Sequence, residues 1–405
     1  MMDILVLNSG SSSIKFQVIR MPEEKVMAKG IVERIGLEKP FLKYKKGDGE
    51  YQKFEREDKI DHKVALEWVL NVLTDSQIGV IERLSDIGAV GHRVVHGGED
   101  FSGSVLITDE VIKALEDNID LAPLHNPANL MGIYACKELM PGIPMVGVFD
   151  TAFHQTMPKH AYLYALPLEL YEKYRVRRYG FHGTSHRYVS QKAAELVGKP
   201  ISQLKIITVH VGNGASIAAV KYGKSIDTSM GFTPLEGLVM GTRCGDIDPA
   251  LPVWLIKKLG MTPDEVDKYL NKKSGILGLM NGKTYDMREV EEGYLSGDPQ
   301  ATLAFQIYAY RIKKYIGAYV AAMGGLDVLV FTAGVGENSP LLRELVCEGL
   351  EFLGIKIDKE RNNVRGTALI STDDSKVKVF TIATNEELVI ARDTYEIVVG
   401  GKKVE

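Results

Sequence analysis

Ile4-Leu5-Val6-Leu7-Asn8-Ser9-Gly10-Ser11-Ser12-Ser13-Ile14-Lys15-Phe16-Gln17-Val18 decides the fold of this chain, because its pattern returns in the second half. There Ile206-Ile207-Thr208-Val209 runs into His210-Val211-Gly212-Asn213-Gly214-Ala215-Ser216 and out through Ile217-Ala218-Ala219-Val220. Each copy reads as strand, small-residue turn, strand. Gly, Ser and Asn in the turns let backbone N–H groups and hydroxyls crowd an anion with no Cβ in the way. One such turn is an ordinary hairpin. Two of them predict a duplicated domain whose halves face each other across a nucleotide's phosphates.

The remaining pattern agrees with an α/β chain of more than one domain. At 405 residues it exceeds one comfortable core. Strand-like runs (4–7, 89–95, 145–149, 206–211, 328–332, 377–383) alternate with helical segments, which reads as α/β. Val64, Leu66, Trp68, Val69 and Leu73 give residues 62–73 an apolar helical face. Thr184 or Ser185 is expected to cap a helix that Gly198-Lys199-Pro200 stops. Ser339-Pro340 starts another, with Leu341, Leu342, Leu345, Val346 and Leu350 inward, and Asp248-Pro249 a third through Trp254. Charged residues 43–59 read as an exposed excursion. With no Pro/Ser linker in sight, the expected domains are 1-150 and 151-385, with a last helix, 386-405, closing back on the first.

Bulk properties narrow the function. A charged content of 25% is that of an ordinary globular protein, and a net charge of -4 gives no support to nucleic-acid binding. The basic run Tyr174-Arg175-Val176-Arg177-Arg178-Tyr179 reads as solvated surface or anion contacts. Cys136, Cys244 and Cys347 are far apart with no CxxC, which fits a reducing cytosol. No basic leader and no run of ~18 apolar residues is present, so the expectation is a cytoplasmic protein that does not enter a membrane.

Several motifs fail on their spacing. Gly278-Leu279-Met280-Asn281-Gly282-Lys283-Thr284 is one residue short of a phosphate loop of the Walker type. His92/His96 and His182/His186 lack the glutamate of a zinc helix. Asp246 and Asp248 could touch magnesium, though Asp248 is more simply a helix cap. The groups with a chemical context end elements and sit among glycines: Arg93 in Gly91–Gly98, Asp150 after Val146–Phe149, His182 in Tyr179–His186, and Arg243 in Met240–Asp246. Cations of this kind suit phosphoryl transfer, where charge spreads over equatorial oxygens.

These segments resemble the acetate kinase family along essentially the whole chain. The resemblance rests on Asn8–Lys15, Gly180-Phe181-His182-Gly183-Thr184-Ser185-His186 and His92-Arg93-Val94-Val95-His96-Gly97-Gly98. It extends to Pro123-Leu124-His125-Asn126-Pro127, Gly241-Thr242-Arg243-Cys244-Gly245-Asp246 and Gly334-Val335-Gly336-Glu337-Asn338. It implies the actin and sugar-kinase fold, two ribonuclease-H-like α/β domains with a nucleotide cleft, and a homodimer. Asn8 and Glu386 would then hold magnesium, or manganese in its place. Lys15 and the hairpin His210, Val211, Gly212, Asn213, Gly214 would meet the phosphates of ATP or ADP. Asp286, Met287, Arg288 and Gly334, Val335, Gly336, Glu337, Asn338 would lie on the adenosine side, with the dipole of the helix at Ser339-Pro340 aimed at the nucleotide.

By the same resemblance Arg93 and Arg243 grip the phosphoryl group and the substrate carboxylate, and His182 hydrogen-bonds the phosphoryl in the transition state. Val95, Leu124, Phe181 and Pro234 surround the acyl methyl. The family gives Asp150 the part of proton acceptor. Acetic acid is already an anion at neutral pH, so Asp150 is better read as ordering metal-bound water. The implied reaction is reversible transfer of the ATP γ-phosphoryl to acetate. Rival readings are a propionate kinase, one methylene away, and a non-kinase actin-like ATPase, for which arginines beside a small apolar pocket would have little use.

Overall fold

The computed structural model describes residues 1–401, 403 and 404, and its contacts divide the chain into two units, Met1–Gln155 with Asn385–Glu405, and Thr156–Thr384. In the first unit the strands are β1 (Met2–Ser9), β2 (Ser13–Met21), β3 (Lys25–Glu33), β4 (Phe41–Lys46), β5 (Gln52–Glu55), β6 (Ile87–Val94), β7 (Val105–Leu106) and β8 (Met145–Phe149). They lie in the order β5-β4-β3-β2-β1-β6-β8-β7. β2 pairs antiparallel with β1, and β3 with β2; β6 and β8 run parallel to β1.

Ile4, Leu5, Val6 and Leu7 are all buried, which marks a central strand covered on both faces. On one face Leu5, Leu7 and Phe16 pack with Leu66 and Val69 of the His62–Leu73 helix and with Leu130 and Ile133 of the Asn126–Leu139 helix. On the other, Ile4, Val6, Ala89, Val146 and Val148 meet Ile390 and Ala391 of the closing helix, Glu386–Gly400. Gly91 permits that approach: a Cβ there would lie 2.6 Å from Ile390 Cγ2 and 2.5 Å from Thr394 Oγ1. The expected run of this helix to residue 405 is too long; it stops at Gly400, and Lys402 and Glu405 lie outside the described residues.

The second unit repeats the plan. Its strands are β9 (Lys205–Val211), β10 (Ala215–Lys221), β11 (Lys224–Thr228), β12 (Val328–Thr332), β13 (Ala368–Leu369) and β14 (Lys378–Thr381), in the order β11-β10-β9-β12-β14-β13. On one side of β9 the antiparallel pairs β9–β10 and β10–β11 follow one another, and on the other β12 and β14 run parallel to it, as around β1. The expected duplication is therefore present: each unit carries the mixed sheet of the ribonuclease-H-like fold. The Pro299–Met323 helix buries Phe305, Tyr308, Ile312 and Ile316, and it packs on β9 and β10.

Five local expectations need correction. Residues 43–59 are not an excursion: they contribute to β4 and the edge strand β5; Leu42 and Tyr44 of β4 are buried while Lys43 and Lys53 are exposed, the latter a residue type that an edge favours. The helix expected to be capped at Thr184 or Ser185 starts at Gly183, with His182 before it in the left-handed region at φ 55°, and both hydroxyl residues are inside it and buried. The helix after Asp248-Pro249 continues past Trp254 to Leu259, and Leu350 lies beyond the end of the Pro340–Cys347 helix. The basic run at 174–179 is not uniformly solvated. Arg177 is buried, with its guanidinium 3.6 Å from the centre of the Tyr162 ring, and Arg178 donates to the carbonyls of Ser229 and Met230 and pairs with Glu236.

Candidate active site

In the first unit the carboxyl ends of β1, β6 and β8 and the start of the closing helix gather the expected polar groups. Arg93 Nε donates to Asp150 Oδ1 at 3.0 Å and Nη2 to Asp150 Oδ2 at 2.6 Å, while Nη1 reaches Asn8 Oδ1 at 3.3 Å. This bidentate fork fixes the plane of the guanidinium. The charge of Asp150 is the main cause that raises the Arg93 pKa above its ordinary value. Burial, reinforced by the charges of Asp150 and Glu387, pushes the Glu386 carboxyl up to about 7 against the pull of Arg93 and Lys15. Lys15 Nζ lies 3.0 Å from Glu387 Oε1.

Three residues that sequence reasoning missed hold this arrangement. Asn129 accepts the Val95 N–H at 3.0 Å and donates to the Ser9 carbonyl at 2.8 Å. One turn earlier Asn126 accepts the His96 N–H and donates to the His96 carbonyl. A single helix thus clamps the end of β1 and the segment after β6. Its only signal was the quoted Pro123–Pro127 motif, in which Asn126 stands. The third is His62, at the head of its helix, whose Nε2 lies 2.7 Å from the carbonyl of Gly10 in the first hairpin turn. Val95 is buried one residue past β6, whereas Leu124 is 71% exposed.

In the second unit the hairpin β9–β10 sets His210 opposite Ser216, the place that Asn8 and Lys15 hold between β1 and β2. His182 stacks on His210 with ring centres 4.2 Å apart. Its Nδ1 lies 2.9 Å from Ser216 Oγ. Arg243 Nη1 donates to the Pro234 carbonyl at 3.1 Å and reaches Met240 Sδ. A Cβ on Gly214 would sit 3.4 Å from Arg243 Nη1 and 3.5 Å from His182 Nε2, so the glycine leaves open the point where these groups converge. No carboxylate pairs with Arg243 among the described residues, and burial lowers its pKa, the direction for a cation whose charge nothing close by balances. Phe181 is buried beside His182 in sequence.

A cavity of about 1220 Å³ in the same unit is lined by Gly212, Asn213, Asp286, Met287, Arg288, Gly334, Val335 and Asn338, with Lys283 and Thr284 of the false phosphate loop. His210, Val211, Gly214, Gly336 and Glu337 are not in its wall. Asp286 is committed locally, capping its helix through the Arg288 N–H and holding the Arg288 guanidinium at 2.7 Å. Asp246 is committed too, to the Gly237 N–H and the Tyr315 hydroxyl, and Asp248 to the Ala250 N–H. No group of three or more His, Cys, Asp or Glu side chains fit for a metal occurs among the described residues.

The segment that carries Gly334, Val335 and Asn338 of this cavity is held by a buried arginine that no sequence motif marked. Arg343 is fully buried. It donates to the carbonyls of Gly336, Glu337, Asn362 and Val364 and to Asn362 Oδ1, at 2.7 to 3.0 Å. Burial lowers its pKa to about 10. Arg365 adds a bond to the Asn338 carbonyl.

Comparison with known proteins places these groups in context. The model of the acetokinase family matches residues 3–392. The chain is 68% identical over 399 residues to the acetate kinase of Coprothermobacter proteolyticus, covering 98% of this chain and 100% of that one. The crystal structure of Porphyromonas gingivalis acetate kinase superimposes with a TM-score of 0.94 at 53% identity, covering 98% and 100% of the two chains. A propionate kinase from Francisella tularensis superimposes at 0.90 with 43% identity, covering 98% and 100%.

Arg343→Met is expected to cost about 2–4 kcal/mol, because it keeps apolar volume but leaves buried carbonyls without donors. Denaturant unfolding reads this directly, and a loss under about 1 kcal/mol would show that water replaces the guanidinium.

Proposed function

The chain belongs to the acetokinase family, phosphotransferases that take a carboxyl group as acceptor, and on that premise we propose how its own residues move the ATP γ-phosphoryl to acetate and back. The observation that carries the reading is the point over Gly214, where an arginine without a carboxylate partner meets His182 Nε2 in the unit that also holds a nucleotide-sized cavity. Acetate and the γ-phosphoryl are both anions, so their approach needs cations fixed in advance. Arg243 supplies one and Arg93 another. His182 offers a hydrogen bond to an equatorial oxygen. Asp286 to Arg288 and Gly334, Val335 and Asn338 take the adenosine side, and Gly212 and Asn213 the phosphates. In this reading Asp150 orients Arg93, since both of its oxygens already accept from that guanidinium. It is not asked to remove a proton, because the acid is ionised near neutrality.

A divalent cation fits the first unit's donor set. Asn8 and Glu386 offer hard oxygens, and burial, with the charges of Asp150 and Glu387 beside it, disfavours the Glu386 carboxylate in a way that a bound cation would relieve. Two such groups with water and phosphate completing the sphere suit magnesium, which prefers few protein ligands. When bound, it would neutralise phosphate charge and hold the phosphates in line. Val95 and Phe181 are buried apolar residues close in sequence to Arg93 and His182, and we assign them to the acyl methyl with Pro234, whose carbonyl already holds Arg243. Leu124, exposed, would be the outermost member.

The chain is also taken to pair with a second copy. Its Ala250–Leu259 helix exposes Leu251, Val253, Trp254, Ile256 and Leu259 while burying only Leu255, an apolar face that needs a cover.

Arg93→Ala and Arg243→Ala are each expected to lower kcat by roughly 10³–10⁵ with ATP, magnesium and acetate, acyl phosphate being trapped with hydroxylamine. A loss below tenfold for either would remove it from charge neutralisation. Val95→Ala should raise kcat/KM for propionate relative to acetate by about five- to thirty-fold; an unchanged ratio with lower stability would return Val95 to the core. Trp254→Glu should give a folded monomer by sedimentation equilibrium, and an undisturbed dimer would move the interface elsewhere.

A further inference from the structure

A buried line of hydrogen bonds runs from β9 to the imidazole at the phosphoryl position. Thr208 Oγ1 lies 2.6 Å from His186 Nδ1, His186 Nε2 lies 2.8 Å from Ser216 Oγ, and Ser216 Oγ lies 2.9 Å from His182 Nδ1. Thr208, His186 and Ser216 are all 0% exposed. Every link joins a hydroxyl to a ring nitrogen. A hydroxyl has one proton, and a neutral imidazole has one donor and one acceptor nitrogen, so the line as a whole has a direction.

Counting protons from the buried end fixes that direction. Among the described residues, His186 Nδ1 is the one hydrogen-bond partner of the Thr208 hydroxyl. Were His186 to donate from Nδ1, the Thr208 proton would be buried without an acceptor, the costly arrangement; an unused hydroxyl lone pair is cheaper. Thr208 therefore donates to Nδ1, and the His186 proton sits on Nε2. That N–H donates to Ser216 Oγ. The Ser216 proton then goes to His182 Nδ1, which must be bare, and the proton of His182 is placed on Nε2. This nitrogen is the one that approaches Gly214 beside Arg243 Nη1.

We propose that Thr208, His186 and Ser216 are positioning residues that hold His182 as the neutral tautomer protonated at Nε2, so that it presents a donor, and not a lone pair, to the phosphoryl oxygens. The functional half rests on the contact between His182 and the phosphoryl assigned above; the tautomer itself does not. The opposite polarity would aim a lone pair at an anion and repel it. The titratable and charged groups on the elements around the line include Arg243, the imidazole of His210 stacked on His182, Arg187, Lys192 and Glu195 on the helix of His186, Lys205 on β9 and Lys221 on β10.

Ring-nitrogen NMR of the full chain labelled with ¹⁵N-histidine, without nucleotide and at mildly alkaline pH, tests the proposal. His182 and His186 are each expected to show a protonated Nε2 and a bare Nδ1. A proton on Nδ1 of His182, alone or with Nε2 also protonated, overturns it. Ser216→Ala should mix the tautomers of His182 and lower kcat about tenfold, the scale of one neutral hydrogen bond, with KM for ATP unchanged. Ser216→Thr, which keeps a hydroxyl, should recover most of the loss. Thr208→Val, nearly the same shape, should release the tautomer of His186 first and lower kcat less. An unaltered His182 spectrum in both Ser216→Ala and Thr208→Val overturns the proposal even if activity falls. Full activity in His182→Gln would refute the phosphoryl contact instead and leave the spectra to decide the tautomer.

Discussion

The two arginines proposed to carry the chemistry are held in opposite ways, and much of the structure follows from that contrast. Arg93 is locked by a bidentate carboxylate, so its geometry is fixed and part of its charge is already answered. Arg243 is held by a carbonyl and a thioether, weaker partners that leave its charge open for an incoming anion. An arginine fully paired in the resting protein would have to lose a partner before it could help. One with none would be costly to bury. The open glycine hairpin, the left-handed turn at His182 and the carbonyl of Pro234 together make the unpaired guanidinium tolerable.

Duplication explains how one topology can supply two chemistries. Both hairpins turn at the same point of the sheet, but the facing residues differ: Asn8 and Lys15 in one, His210 and Ser216 in the other. The first pair offers an amide oxygen and a half-exposed cation. The second offers imidazole and hydroxyl, joined to buried groups behind it. Shared backbone fixes where a functional side chain stands, while its identity sets what it does.

The fold was legible because its signals are local. A central strand covered on both faces reads as an unbroken apolar run, and glycine-rich turns announce themselves. The expected site residues around Arg93 were legible as strand ends. What stayed hidden is of two kinds. The edge strand β5 and its neighbour β4 were masked by their outward lysines, because a solvated sheet margin resembles a loop in composition. Buried polar supports, Asn129, His62, Arg343 and Ser216, were invisible for a deeper reason: a polar residue in an apolar stretch looks like surface until its partner, far away in sequence, is known. The cap expected at Thr184 or Ser185 failed similarly. Ser185 spends its hydroxyl on His210 and Thr384 instead of on the helix start.

The closing helix belongs to the first unit although it is the last helix or strand among the described residues. Its side chains cover one whole face of the β1–β6–β8 sheet, and its first residue is Glu386. During synthesis the ribosome therefore delivers the first sheet with an apolar face bare, and that face stays bare while the entire second unit is made. Domains usually fold in the order in which they emerge; here the second can finish before the first. The nascent chain must keep Ile4, Val6 and Val148 from other partners through that interval, which gives chaperones a defined surface to shield. The same order acts as a proofreading step. A chain released early lacks Glu386 and the cover together, so a prematurely terminated product is exposed to proteolysis and carries nothing at one of the two positions proposed to hold the metal.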